Sequence, residues 1–315
     1  MALIWGNLLH LSFDMWADRQ VKRWGDFPRW HLKYLCVSPC LRFDESLWNE
    51  LTDRMAAVGM NMVVIDLGDA VRYESHPEIA VKGAWRPAKL KKELMRLRKL
   101  GLEPIPKLNF SSAHDAWLGE YSRCLSTPTY YKVCADLIEE VSDLFERPRF
   151  FHLGYDEENH WNQESYAYAV IRQHELWWND FLFFVRQVEK RGMRPWIWAD
   201  YVWHHAGEYF KRMPRSVLQS NWWYGLDFDP KRQSTVQTYL DLEEHKYDQV
   251  PTASNWAEAN NFKRTVAFCA RRISPTRLKG FLQTPWFPTV KAFRQRHIQA
   301  IDLVAQVLQS PYGRL

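Results

Sequence analysis

The sequence lacks any long hydrophobic run. No apolar stretch in its 315 residues approaches the roughly 20 residues that a membrane-spanning helix needs, so we expect no membrane contact. The N-terminus also lacks a basic stretch followed by a long apolar segment, so the sequence shows no signal peptide. If this N-terminus is native, we expect a cytoplasmic protein, whereas removal of a leader would make it an exported one.

Cysteine is sparse and shows no metal-type clustering. Cys36 and Cys40 are separated by three residues, but there is no second cysteine pair and no nearby His-x-x-x-His to complete a zinc site. The pair His204-His205 lacks carboxylate or histidine partners at ligand spacing. With five cysteines in total, we expect reduced thiols, no metal and no cofactor.

A strong excess of one charge is also absent. The 42 basic and 37 acidic residues give a net charge of +5, and the basic residues are scattered along the chain. Short basic clusters, such as residues 89–92 and 96–99, fit the exposed face of a helix better than a nucleic-acid patch. We therefore expect no nucleic-acid partner.

Aromatic residues, in contrast, are abundant. The chain has 17 tryptophans, 14 tyrosines and 17 phenylalanines. A tryptophan ring can fill a core or offer a flat surface on which a ligand stacks. Several tryptophans fall at predicted strand ends and favour a binding surface there: Trp198, Trp203, Trp222, Trp223, Trp256 and Trp286.

A repeating helix–glycine–strand unit predicts the fold. Gly59, Gly101 and Gly192 each follow a segment of helical periodicity and precede an apolar strand, because glycine readily adopts the left-handed conformation that ends a helix. Strands that alternate with helices indicate a parallel sheet. Seven strands are predicted to end near Asp66, Asn109, Gly154, Asp200, Asn221, Asn255 and Thr284. One more near the N-terminus makes a single-domain α/β protein, a (β/α)8 TIM barrel over residues 1–315.

The position of the first strand stays open. Residues 8–13 and 34–38 both have the composition of a strand, and they lie in an N-terminal strand and loop region over residues 1–43. If the earlier segment is the first strand, residues 16–43 form a long loop over the mouth of the barrel. No low-complexity linker in the sequence indicates a second domain.

Two adjacent acids follow the fourth predicted strand. The apolar residues 149–154 lead directly to Asp156 and Glu157. In enzymes with a TIM barrel, the active site lies at this carboxyl end of the strands. Adjacent residues at a strand end can approach one ligand from different directions. The alternative interpretation is that these two acids are solvated loop residues or helix N-caps.

Residues 60–290 resemble the catalytic domain of family 20 glycoside hydrolases, the β-N-acetylhexosaminidases. The sequence His-Leu-Gly-Tyr-Asp-Glu at 152–157 is similar to the family's His-x-Gly-Gly-Asp-Glu. Residues 105–109, followed by His114, resemble its Ile-Pro-Glu-Ile-Asp and Gly-His segment, and residues 76–79 resemble its Tyr-Pro-Glu-Leu. The order and spacing of these segments match the family.

The sequence departs from the family at several positions. Tyr155 replaces the second glycine of the motif, and Asn109 stands where the family usually has an aspartate. After the eighth strand the family has Trp-Ser-Glu, whose glutamate binds sugar hydroxyls, whereas here Trp286 is followed by Phe287 and Pro288. The family's small α/β domain ahead of the barrel is also missing.

The resemblance implies hydrolysis of terminal β-linked N-acetylhexosamine with retention of configuration. The 2-acetamido oxygen of the sugar itself attacks the anomeric carbon in such enzymes. Glu157 is then the general acid and base, and Asp156 orients the 2-acetamido group. The expected partner is a carbohydrate, and the sequence leaves the oligomeric state and the choice between glucosamine and galactosamine undetermined.

The same resemblance suggests which side chains contact the sugar. His114 either orients the acids or is a structural histidine, Tyr224 is a donor to the acetamido oxygen, and Asp69, Arg72 and Arg42 are candidates for the sugar hydroxyls. The full set of predicted substrate-binding residues is His114, Asn109, Trp198, Trp222, Trp223, Tyr224, Trp256, Trp286, Asp69 and Arg42.

Two other functions remain open at this point. One is a glycosidase of the ordinary two-carboxylate type, acting on sugars without an acetamido group, with Asp200 or Glu258 as the partner acid. The other is a barrel that binds carbohydrate without cleaving it. The adjacent acids argue against pure binding, because a binding protein does not need two carboxylates that repel each other.

Overall fold

The computed structural model describes residues 2–24 and 29–314, which contain eight strands and nine α-helices. The strands are β1 (Ile4–His10), β2 (Met62–Asp66), β3 (Glu103–Lys107), β4 (Phe150–His152), β5 (Arg194–Trp198), β6 (Leu218–Ser220), β7 (Thr252–Ala253) and β8 (Gly280–Gln283). The helices are α1 (Arg29–Leu35), α2 (Glu45–Ala57), α3 (Pro87–Lys99), α4 (Pro128–Leu144), α5 (His174–Lys190), α6 (Val202–Arg212), α7 (Ser234–Glu244), α8 (Asn261–Arg272) and α9 (Arg294–Leu308).

All eight strands belong to one parallel sheet. Their order is β6-β5-β4-β3-β2-β1-β8-β7, so β1 pairs with both β2 and β8. The edge strands of the sheet are β6 and β7, and isolated bridges connect them. At one of these bridges the amide of Thr252 in β7 donates to the carbonyl of Asn221, just after β6, at 3.0 Å. The sheet therefore nearly closes into a barrel, and the predicted (β/α)8 fold is confirmed.

Buried side chains lie on both faces of the barrel sheet, one set inside the barrel and the other between the sheet and the helices. Alternate strand residues such as Leu8, Val64 and Trp196 are buried in an inner cluster, and their neighbours Leu9 and Val63 pack outward against the helices. The alternation follows from the strand geometry, which points successive side chains to opposite faces of the sheet. The barrel interior is thus a packed core, and ligands have access only at its ends.

The first strand is the earlier of the two predicted segments, although it begins and ends sooner than predicted. β1 spans Ile4–His10, whereas the later segment, 34–38, begins in the last turn of α1 and continues into an isolated bridge between Ala17 and Cys36. The segment between β1 and α2 is therefore the predicted long connection, with a helix inside it. Residues 25–28 of that connection lie outside the described residues.

The helix α6 was not predicted. It begins four residues after β5, where the sequence analysis placed only a strand end and Trp203. The helix is kinked at His205, whose φ of −133° and ψ of 30° are not helical. In the described part of the chain, no helix combines the length and apolarity that crossing a membrane requires.

Candidate active site

The loop after β4 presents Asp156 and Glu157 at the carboxyl end of the barrel. Three of its residues, Gly154, Tyr155 and Glu157, have positive φ angles of 70°, 72° and 57°. Only glycine fits at 154, because a Cβ there would lie 2.0 Å from Oδ1 of Asn109. The two non-glycine residues in this strained conformation are held by hydrogen bonds from their amides to Asn109 and Asp200. Strained backbone of this kind is concentrated at active sites and ligand-binding loops.

Asn109 connects the ends of β3 and β4. Its side-chain oxygen accepts from the amides of Ser111 and Tyr155, both at 3.1 Å, and its Nδ2 donates to Oδ1 of Asp156 at 2.9 Å. An aspartate could accept the first two bonds but could not donate to Asp156 unless it were protonated. The amide at position 109 therefore fixes the Asp156 carboxylate by a bond that an ionised aspartate could not make.

His114 bridges the two acids. Its Nε2 lies 3.1 Å from Oε2 of Glu157 and 3.5 Å from Oδ2 of Asp156, and the ring is buried. Burial by itself would lower the pKa of His114, but attraction to Asp156 and Glu157 raises it overall. The imidazole thus bridges the two carboxyl groups, and their charges favour its protonated form.

Asp200, at the end of β5, holds the backbone of Glu157. Its Oδ2 accepts from the Glu157 amide at 2.8 Å, and the side chain is buried. Burial and then repulsion from Asp156 raise the pKa of Asp200 well above its ordinary value. Burial also raises the pKa of Asp156, against the opposing charge of His114. Burial thus favours the protonated forms of Asp156 and Asp200 more than solvent would.

A cavity of about 270 Å³ opens beside the two acids. Four of the predicted tryptophan and tyrosine side chains line it, and Tyr224 accepts a hydrogen bond from Nε1 of Trp286 at 2.8 Å. The ring of Trp222 stacks on Tyr224 at 5.0 Å. The lining side chains are Phe13, Trp16, Trp24, His31, Leu35, Asp156, Glu157, Asn162, Trp222, Tyr224, Trp256 and Trp286.

Three of the six tryptophans predicted at strand ends do not line the cavity. Trp203 donates from Nε1 to Oδ1 of Asn221 at 2.9 Å. Trp198 is buried in the barrel interior, 5.7 Å from the ring of Trp286, so it supports the lining from below. Trp223 packs against the outer core, and its Nε1 donates to the carbonyl of Asp227 at 3.0 Å. Because successive residues after a strand point in opposite directions, Trp222 faces the cavity and Trp223 cannot.

Arg42 and Asp69 are also absent from the lining. Arg42 donates to the carboxylate of Asp14 and to the carbonyl of Cys36, and Asp69 accepts from the Ser12 hydroxyl at 2.6 Å. Both side chains thus hold the segment after β1 in place. Their predicted contact with sugar hydroxyls is corrected accordingly, because neither group points into the cavity. Arg72 is exposed on the loop after β2 and lines a different surface depression.

The lining residues in the connection between β1 and α2 were not predicted. Phe13, Trp16, Trp24, His31 and Leu35 form one wall of the cavity. The signal in the sequence was the predicted loop over the barrel mouth, residues 16–43, with its three tryptophans. Asn162 was missed as well, and Asp200 was considered only as an alternative acid. These side chains reach the site from loops whose paths the local sequence does not define.

One group of side chains in residues 2–24 and 29–314 has the spacing of a metal site. The ligand atoms of His114, Asp156 and Glu157 lie within 4.8 Å of one another. Nε2 of His114 lies within hydrogen-bonding distance of Glu157, and the amide of Asn109 donates to Asp156. These contacts account for the arrangement of the group without a metal ion.

The fold and the site define the chain as a (β/α)8 barrel of the glycosidase type, with an acid pair and an aromatic cavity at its carboxyl end. The model of the glycosyl hydrolase family 20 catalytic domain matches residues 106–279, so the chain belongs to this family. The Asp156-Glu157 motif lies within the matched region.

Solved structures agree in fold at low sequence identity. A crystal structure of a β-N-acetylhexosaminidase is 13% identical, with a TM-score of 0.67, and the match covers 96% of this chain and 71% of that one. The exo β-N-acetylglucosaminidase of Vibrio harveyi in complex with N-acetylglucosamine is 12% identical (TM-score 0.64; 96% and 54% covered). The β-N-acetylhexosaminidase of Bacteroides fragilis is also 12% identical (TM-score 0.63; 96% and 65% covered).

The chain thus spans between about half and two thirds of the length of the last two structures. No curated protein matches its sequence significantly. At these identities the structural likeness shows the fold, and the activity must be argued from the site.

Proposed function

We propose that this barrel is a glycosidase that removes terminal β-linked N-acetylhexosamine by substrate-assisted catalysis. The observation that carries the proposal is the pairing of Asp156 and Glu157 through His114 beside a tryptophan-lined cavity. Membership in glycosyl hydrolase family 20 supports it. So do similar proteins from Vibrio harveyi and Streptomyces plicatus, whose crystal structures hold N-acetylglucosamine.

In the first step, Glu157 donates its proton to the glycosidic oxygen as the bond from the anomeric carbon to that oxygen breaks. The acetamido oxygen of the substrate forms the new bond to the anomeric carbon, giving a cyclic oxazolinium intermediate. Asp156 accepts a hydrogen bond from the acetamido N–H and stabilises the positive charge that develops there. The leaving alcohol departs with the proton of Glu157.

In the second step, the ionised Glu157 removes a proton from water, whose oxygen attacks the anomeric carbon. The bond to the acetamido oxygen breaks, the acetamido group is restored and Glu157 is protonated again. Two inversions at the same carbon give net retention of configuration. The half-buried position of Glu157 suits this role, because its side chain is 31% exposed and water can reach it.

Two further residues act as positioning groups. His114 keeps the two carboxyl groups at a fixed separation, and in its protonated form it lowers the repulsion between them. Asp200 fixes the left-handed backbone of Glu157 through the amide hydrogen bond. Both contacts restrict the acid to one orientation, which general acid catalysis requires.

The direct test is Glu157→Gln, assayed on an aryl N-acetyl-β-hexosaminide. General acid and base catalysis contributes about 10²- to 10⁴-fold, so kcat/KM should fall by at least 100-fold while Tm stays the same. Glu164→Gln is the matched control, because it makes the same change at an exposed glutamate seven residues further along. Undiminished hydrolysis by Glu157→Gln would remove this residue from the mechanism.

A further inference from the structure

Glu158, the residue directly after the acid pair, is held in a buried ion pair. Nε of Arg172 donates to both carboxylate oxygens of Glu158, at 3.1 and 3.3 Å, and Nη2 donates to one of them. The two side chains are only 1% and 3% exposed. The Ser112 amide donates to the same carboxylate at 2.7 Å. Glu158 is therefore bound by the protein itself.

The same guanidinium contacts Tyr155, the residue directly before the acid pair. The central carbon of the Arg172 guanidinium lies 4.7 Å from the centroid of the Tyr155 ring, a distance typical of a cation–π contact. The tyrosine ring is buried and packs edge-on against Trp177 of α5. Tyr155 stands where the family has its second glycine, and a glycine has no side chain that could make this contact. Arg172 thus contacts the residues on both sides of the acid pair.

Arg172 is also anchored to the barrel. Its Nη1 donates to Asp180 of α5 at 3.2 Å, and its Nη2 donates to the carbonyl of Phe110, just after β3, at 2.7 Å. Asp180 accepts in addition from the hydroxyls of Ser126, at 2.7 Å, and Tyr131. A planar guanidinium presents its donors in fixed directions and can make all these contacts at once, whereas an ammonium group cannot. One side chain therefore connects the loop of the acid pair to both β3 and α5.

The chain turns back on its own start to make these contacts. Tyr155 and Glu158 lie at the beginning of the connection between β4 and α5, and Arg172 lies two residues before α5 begins. Glu157, with its positive φ of 57°, lies between the two contacted residues. Buried ion pairs seldom stabilise a fold more than apolar side chains would, because desolvation of the charges is costly, and their best-attested role is to select one conformation.

We propose that Arg172 is a positioning residue for the general acid. By holding Tyr155 and Glu158 it directs the carboxyl group of Glu157 toward the glycosidic oxygen, and it does not touch the substrate. This inference rests on the proposed function and deepens it. A general acid accelerates the reaction only where the leaving oxygen needs a proton, so the loss of its orientation affects poor leaving groups and spares good ones.

Arg172→Lys tests the inference with two substrates. The variant keeps the positive charge and loses the planar fork. The phenyl glycoside of N-acetyl-β-glucosamine has a leaving group that needs the proton, and the 2,4-dinitrophenyl glycoside has one that departs without it. We expect kcat to fall about 10- to 100-fold on the phenyl substrate and by less than about threefold on the dinitrophenyl substrate, with KM unchanged on both. An equal loss on both substrates, or no loss on the phenyl substrate, would overturn the inference.

Glu158→Gln is the second variant, because it leaves the guanidinium of Arg172 in place. The amide oxygen can still accept from Ser112, but the charge that attracts Arg172 is gone. We expect the same selective loss on the phenyl substrate, by a smaller factor. A folded Glu158→Gln protein with wild-type rates on both substrates would contradict the proposed role of the pair.

Arg123→Lys is the matched control. Arg123 likewise pairs with a buried carboxylate, that of Asp115, lies over a tyrosine ring, that of Tyr166, at 4.2 Å, and donates to a backbone carbonyl, that of Ser112, at 2.9 Å. These partners lie outside the segment 155–158. Any loss of activity in this variant should therefore be the same on the two substrates. A selective loss equal to that of Arg172→Lys would show that the effect is not specific to Arg172 and would overturn the inference.

Hydrogen exchange gives a readout that does not depend on turnover. In Arg172→Lys the amides of residues 155–163 should exchange at least about tenfold faster than in the wild type, while those of the barrel strands should not change. Unchanged exchange in this segment would overturn the inference. Faster exchange, in a protein whose wild type hydrolyses no N-acetylhexosaminide, would refute the proposed function and still support the hold of Arg172 on the loop.

Discussion

Asp200 illustrates how one residue can support the proposed catalytic acid, Glu157, without lining the cavity itself. Its carboxyl group is buried near Asp156 and accepts the amide hydrogen bond of Glu157. The free energy of folding therefore depends on whether this carboxyl group is ionised. Burial raises the pKa of Asp200, which means that the folded protein favours the protonated form. A group of this kind contributes stability that is present at low pH and is lost as the pH rises through its raised pKa.

Asp200→Asn should therefore stabilise the protein at high pH. The amide oxygen of asparagine can still accept from Glu157, but the side chain does not ionise. We expect the increase in Tm of the variant over the wild type to be larger at pH 8 than at pH 5. Each kcal/mol gained in the free energy of unfolding raises Tm by about 2–4 °C. Thermal unfolding at the two pH values measures this difference.

The control for this measurement is Asp53→Asn, at an exposed aspartate of α2. Its effect on Tm should be the same at both pH values. If the difference in Tm between Asp200→Asn and the wild type is the same at pH 5 and pH 8, the surroundings of Asp200 do not favour its protonated form.

At the scale of elements, the connection between β1 and α2 is as important as the strands. It supplies a wall of the cavity and is fastened to the barrel by several polar contacts. Ser12 binds Asp69, the Tyr166 hydroxyl donates to the carbonyl of Met15 at 2.6 Å, and Arg42 binds Asp14. These contacts let a long connection keep a defined shape over the barrel mouth.

Arg42→Met should loosen this wall. The variant removes the donors to Asp14 and to the carbonyl of Cys36, and it leaves the Asp14 carboxyl buried without its cationic partner. Since breaking one side of a buried pair is costly, we expect a loss of about 1–3 kcal/mol in the free energy of unfolding. KM for an aryl N-acetylhexosaminide should rise about tenfold, with a smaller change in kcat, because Arg42 acts through the wall and not on the reacting atoms.

Arg54→Met is the matched control on the adjacent helix α2. Arg54 forms an ion pair with Asp302 in which both side chains are about 40% exposed, and such surface pairs contribute only about 0–1 kcal/mol. We expect this control to leave KM unchanged. An equal effect of the two substitutions would mean that the anchoring of the wall by Arg42 does not matter.

At the scale of the whole molecule, the parallel barrel brings the ends of all eight strands to one mouth. The acids follow β4, Asp200 follows β5, the aromatic lining follows β6, β7 and β8, and the opposite wall follows β1. This arrangement unites residues from positions 13 to 286 in one cavity. Function in this fold is therefore a property of the set of loops.

A thiazoline analogue of the oxazolinium intermediate should inhibit and stabilise the whole protein. The compound mimics only the intermediate formed from the acetamido group, so it should bind competitively with the substrate. At 100 times its Kd it should stabilise the fold by about 2.7 kcal/mol, seen as a higher Tm. A sugar without the acetamido group serves as the control ligand and should have little effect.

The Asp156→Asn variant should lose most of the inhibition, because an amide cannot stabilise the developing positive charge. Hydrolysis of glycosides without an acetamido group, insensitive to the thiazoline, would instead favour an ordinary two-carboxylate glycosidase.

The sequence by itself determined the barrel, the strand order along the chain and the place of the acid pair. These features follow from local patterns, because periodicity and the glycines after helices 2, 3 and 5 define the elements, and a parallel barrel always gathers its strand ends at one mouth. The position of Asp156 and Glu157 after β4 was therefore predictable from neighbouring residues. The choice of first strand was not, because two apolar segments of similar composition compete for it.

Only the tertiary structure decided which side chains face the cavity. Trp222 and Trp223 are neighbours of identical chemistry, and the path of the chain after β6 alone turns one inward and the other outward. Arg42 and Asp69 looked equally suited to bind sugar, yet both anchor the connection after β1. Side-chain direction in a loop depends on contacts with residues far away in sequence, and those contacts exist only once the chain has folded.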